Sequence, residues 1–110
     1  MPLDSSTALV CLDAINASRH ADLRQDLFCA AVIYAQLRAT WAFCSPADRK
    51  AIDAERTRAH NAFIDGCNIL SRAMGKSGEN NAWRDALTDD RKIIGDFACY
   101  LHLHITLGAR

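Results

Sequence analysis

From Leu9 to Ile105 the apolar residues of this chain recur at intervals of three and four, and no segment alternates apolar with polar positions as a strand would. That spacing constrains the fold more than any motif does, because only helices bury such a stripe. Little stands in the way of long helices: the 110 residues include two prolines and five glycines. The chain is expected to form an all-α single domain over residues 1–110, a bundle of four main helices plus one short one, with a long third helix.

The first helix is expected from Ser5 or Ser6 to about Ala17, with Asp4, Ser5 and Ser6 as cap candidates and Leu9, Leu12 and Ile15 as its buried stripe. A turn at "SRHAD" leads to a second helix from about Ala21 to Phe43. Its stripe is Leu23, Leu27, Ala30, Tyr34, Leu37 and Trp41, and a second apolar face carries Phe28, Val32, Ala35, Ala39 and Ala42. A helix that is apolar on two sides is central in its domain or covered by a second subunit. "CSPAD" restarts the chain: Ser45 can cap, Pro46 suits the first helical position, and Asp48 favours the positive helix end. The third helix then runs to Met74 with Gly75 as its stop. Its core stripe is Ile52, Ala59, Phe63, Cys67, Leu70 and Met74, while the charged stretch from Ala47 to Arg58 faces water. A short helix around Ala82 to Leu87 presents Trp83 and Leu87, and a last helix capped by Thr88 ends at Gly108.

Unbroken from Pro46 to Met74, the third helix would span about 43 Å, against a diameter of roughly 34 Å for a compact domain of this size. It must bend, with Gly66 as the natural place, or project towards a partner. Together with the surplus apolar face, this predicts a homodimer, or contact with another protein.

Charge and cysteine usage exclude other classes. Thirteen basic residues balance thirteen acidic ones, giving zero net charge, which disfavours nucleic acid as a partner. The apolar window at residues 27–44 is interrupted by Gln36, Arg38 and Thr40. An arginine near a bilayer centre costs at least ~2.5–3.5 kcal/mol, so a soluble helix and no membrane partner are expected. The opening "MPLDSSTALVC" has neither the basic stretch nor the cleavage site of a signal peptide. Five scattered cysteines show no C-x-x-C or zinc-knuckle spacing and read as reduced thiols of a cytoplasmic protein.

No catalytic, metal or cofactor motif emerges. "GKS" at 75–77 resembles the end of a phosphate loop, but the required earlier glycine is Leu70. The H-x-H of His102 and His104 would chelate from a strand; on a helix the two rings diverge by about 200°. His104 lies at the edge of an inner face set by Ile94, Phe97, Ala98, Leu101 and Ile105, with His102 outside it. His60 flanks the Phe63/Cys67 stripe, and Asp90 projects along the inner face of the last helix. Antiparallel packing with Met74 level with Asp90 would bring His60 level with His104. His60, Asp90 and His104 are therefore the candidate polar cluster for a small enzyme or ligand-binding protein. A polar row of Arg58, Asn61, Asp65, Asn68 and Arg72 is the candidate partner-contact surface.

"RAHNAFIDGCNILSRAM", then "WRDALTDDRKIIGDFACYL" and the final "AR", resemble a family of small, all-helical, uncharacterised bacterial proteins. The resemblance covers roughly residues 56–110 and implies a bacterial helical protein; it assigns no role to any residue.

Overall fold

The computed structural model describes residues 3–87 and 91–107, in which five helices and no strand are found. The fold is all-α, as the periodicity requires. Helix α1 spans Ser5–Asn16 and α2 spans Ala21–Phe43. Helix α3 spans Pro46–Lys76, the short α4 spans Trp83–Leu87, and α5 spans Arg91–Thr106. Thr88, Asp89, Asp90 and Gly108 lie outside the described residues.

Local chemistry sets the helix starts. Of the three candidates for α1, Asp4 is the cap, its carboxylate accepting from the Thr7 N–H at 2.7 Å. Ser45 caps α3 by accepting from the Asp48 N–H at 3.2 Å, with Pro46 at the first helical position. The end of α3 differs from expectation. Gly75 stays helical, Ser77 is the C-cap, and Gly78 takes the left-handed backbone at φ +77°. An isolated glycine is tolerated inside a helix; the chain reverses where φ must turn positive, and that is Gly78.

Helix α2 lies between α3 and α5 and runs antiparallel to both. The connection Cys44–Ser45 folds α3 directly back on it, and Gly66 marks their closest approach. A Cβ on Gly66 would sit 3.3 Å from Leu27 Cδ1 and 3.6 Å from Leu27 Cα. The expected bend at Gly66 is absent: α3 is one helix of 31 residues, and the glycine serves a helix crossing. At 1.5 Å per residue α3 spans about 46 Å, the molecule's longest dimension being 47 Å against 27 and 25 Å for the others. The projection therefore holds and the bend does not.

The core sits at one end of this rod, where α1 and α4 close over α2, α3 and α5. Phe63, Phe97, Ile15, Leu27, Leu70, Leu87 and Leu101 are fully buried there. Along the connected stretch from 36 to 58 no residue is buried, so the end of α2 and the start of α3 form a two-helix arm. Trp41 gives the arm its packing: Arg56 lies 4.2 Å and Arg49 5.5 Å from the ring centroid. Arg49 Nε also donates to the Trp41 carbonyl at 2.8 Å.

Two assignments of buried residues need correction. Leu9 is 46% exposed, because the inward face of α1 is Ala8, Cys11, Leu12 and Ile15. Ile105 is 43% exposed, because it stands at surface depressions between α5, α2 and α1 rather than in the closed core.

Candidate functional site

His60 is buried, as its position beside Phe63 predicts. Its Nδ1 lies 3.2 Å from Asn61 Oδ1, while Nε2 is buried without a hydrogen-bond partner among the described residues. Its ring packs edge-on against Tyr34, centroids 5.4 Å apart. His104 is exposed and packs on Tyr100 at 4.5 Å. Three further contacts, Tyr34–Phe63, Phe63–Phe97 and Phe97–Tyr100, each 6.4 Å, complete an aromatic row with the two histidines at its ends. The imidazoles therefore do not meet. Equal spacing puts residues level only in an antiparallel pair, but α3 and α5, each antiparallel to α2, run parallel to one another, and Phe63 and Phe97 lie between them. Asp90, the third member of the expected cluster, lies outside the described residues. His102 is half-buried, its Nδ1 3.2 Å from Thr106 Oγ1 one turn along α5.

The polar row on α3 is largely a solvated face. Arg58, Asn61, Asp65 and Arg72 are exposed. Asn68 is half-buried and occupied within the fold: its Oδ1 accepts from Arg84 Nε at 2.8 Å, tying α4 to α3, and its carbonyl accepts from Arg72 Nε at 3.3 Å.

A serine, a histidine and a glutamate meet where the α1–α2 turn touches the end of α3. His20 Nε2 is 3.0 Å from Ser77 Oγ and 3.0 Å from Glu79 Oε2, and Ser77 Oγ donates to Glu79. The direction of donation decides what this trio can do. A carboxylate only accepts, and the single hydroxyl proton of Ser77 is shared among Glu79 and the Ala73 and Met74 carbonyls, so His20 Nε2, facing the same carboxylate, is the donor that fits this arrangement. A nucleophilic serine needs the reverse, an imidazole that accepts the hydroxyl proton. The trio is a clamp rather than a catalytic centre. Glu79 also accepts from the Arg19 N–H at 2.7 Å. The Ser77 hydroxyl, and after it the Arg19 N–H, hold the Glu79 carboxyl below its ordinary range.

A feature that the polar residues did not foretell is apolar. Between α2 and the end of α5 runs a surface groove of about 350 Å³ lined by Gln25, Phe28, Cys29, Val32, Ile33 and Ile105. A second depression of about 290 Å³, lined by Leu12, Asn16, Phe28, Leu101, His104 and Ile105, adjoins it through Phe28 and Ile105. Ile33, 55% exposed, stands on its border. No charged side chain lines the first groove. Phe28 and Val32 belong to the second apolar face of α2, so the surplus was legible; its placement beside Ile105 required the packing of α5.

All five cysteines are free thiols, and burial pushes Cys67 up to about 12 and raises Cys11 as well. Among the described residues no group of three or more His, Cys, Asp or Glu side chains could hold a metal ion, and no helix is long and apolar enough to cross a membrane. No protein-family model, curated protein or solved structure matches this chain.

Proposed function

We propose that the protein is a cytoplasmic interaction module that acts as a homodimer, pairing through the apolar groove of α2 and α5. The observation that carries this reading is the groove itself. Five of the residues around it are apolar or sulfur-bearing, Gln25 is the one polar member, and large side chains on its border are exposed to water. Contiguous apolar surface of this kind is characteristic of interaction sites.

A second copy suits the groove because ridge and hollow lie side by side. Under a twofold axis, Ile33 and Ile105 of each copy can enter the hollow beside Phe28 and Val32 of the other, as an isologous interface requires. Zero net charge leaves no long-range repulsion between copies. Five free thiols fit a reducing compartment, which supports the cytoplasmic placement.

Light scattering on a size column tests the proposal. Each chain weighs 12.1 kDa, and particles of twice that mass are expected at micromolar concentration. Ile33→Glu should give monomers with unchanged helix content, since each buried isoleucine contributes about 1.5–3 kcal/mol and the mutation replaces it with a charge. A native chain that stays monomeric at hundreds of micromolar would end the dimer reading.

A further inference from the structure

Away from the apolar groove, three positions of α5 are shaped around one side chain of α2. Arg38 Nη1 donates to Asp96 Oδ1 at 3.2 Å and to Cys99 Sγ at 3.6 Å. The guanidinium lies directly on Gly95, where a Cβ would fall 2.7 Å from Arg38 Cζ. Glycine at this position lets the cation reach the sulfur. Burial opposes the charge on Arg38, but its hydrogen bonds to Cys99 and Asp96 outweigh that, and the group is more basic than usual.

The cluster opens on a depression of about 250 Å³ whose other wall is the start of α1, with Asp4 and Ser5. Arg38 is 30% exposed and Cys99 half-buried, so a small molecule entering the depression reaches both. Nε and Nη2 of Arg38 have no acceptor among the described residues.

The other thiols lack this combination. Cys11 and Cys67 are buried, Cys29 is exposed beside the neutral Gln25, and Cys44 donates to the Trp41 carbonyl at 3.7 Å, where the nearby Arg49 donates to backbone oxygens rather than to the sulfur. Reactive cysteines occupy partly exposed sites with a neighbouring cation.

We propose that Cys99 is an oxidation site for small hydroperoxides, with Arg38 as the group that holds the sulfur and stabilises the departing oxygen. The sulfur attacks one peroxide oxygen; an S–O bond forms as the O–O bond breaks. Sulfur is oxidised by two electrons to sulfenic acid, and the leaving oxygen takes the thiol proton, departing as water when the oxidant is hydrogen peroxide. Nη1 holds the sulfur at the wall of the depression, so the same guanidinium lies beside the oxygen that develops charge as it leaves. No second sulfur is among the described residues lining the depression, so the sulfenic acid persists until an external thiol reduces it.

The test exposes the full chain to hydrogen peroxide with a cyclic 1,3-dione that traps sulfenic acid, and maps label over the five cysteines by peptide mass spectrometry. Cys99 should label faster than Cys29, although Cys29 is the more exposed. Arg38→Met should slow labelling at Cys99 roughly tenfold by removing a charged hydrogen-bond donor, and leave Cys29 unchanged. Gly95→Ala displaces the guanidinium while favouring the helix, and should slow Cys99 in the same direction. The proposal fails if Cys29 outpaces Cys99 in the native chain. It also fails if folded Arg38→Met labels Cys99 at the native rate or, should that variant not fold, if Gly95→Ala does.

Discussion

Gly66 shows how much can rest on a missing side chain. It lets α2 and α3 approach to where Leu27 touches the backbone of its neighbour, so substitutions there report on the crossing. Gly66→Ala should be close to neutral: the gain of about 0.5–1 kcal/mol in helix propensity is offset by a tight contact with a flexible Leu27 end. Gly66→Leu should cost about 1–3 kcal/mol in urea denaturation, since the helices must separate to admit it. Glu79 gives a pH prediction with a definite sign. Its folded value is depressed by Ser77 and Arg19, so the stability it contributes is complete above the ordinary carboxylate range. That stability is lost as pH falls through the lower, folded value. Melting temperature should drop on acidification, and Glu79→Gln should flatten that part of the profile; an unchanged slope would refute the clamp. At this scale the sequence was legible where a residue answers to its own helix. His60 leans inward because of its angle to Phe63. The roles of Gly66 and Gly95 depend on Leu27 and Arg38, tens of positions away, and no local pattern announces such pairs.

At the scale of elements, caps and stripes were readable because their physics is local. Asp4 and Ser45 sit where short polar side chains precede apolar periodicity, and α2 runs between the expected ends. The end of α3 was misplaced at Gly75 because two glycines compete for one stop, and only the need for a left-handed residue selects Gly78. The arm formed by the end of α2 and the start of α3 carries its own expectation. Ser45→Ala removes one cap hydrogen bond and should cost about 0.5–2 kcal/mol locally. Because no residue from 46 to 58 is buried, hydrogen exchange should quicken there while the global denaturation midpoint barely moves. A matching loss of global stability would mean that the arm and the core unfold as one.

For the whole molecule, the fold class followed from periodicity alone, whereas the relation of α3 to α5 did not. The expected meeting of His60 and His104 assumed that these two helices pack antiparallel. Instead both run antiparallel to α2, and so parallel to each other, with Phe63 and Phe97 filling the gap between them. The position of α2 beside both helices also leaves part of its second face uncovered, where dimerisation should occur. Such a dimer makes melting temperature rise with protein concentration, and Ile33→Glu should abolish that dependence. The placement of α1 has a separate consequence during synthesis. Cys11 lies against the Trp83 carbonyl, 72 positions later in the chain, and Leu12 borders the same depression as Leu101. Of these five helices, the one synthesised earliest therefore finds its partners last. The α2–α3 hairpin can close while translation continues, but the apolar side of α1 stays open to chaperones until α4 and α5 have emerged.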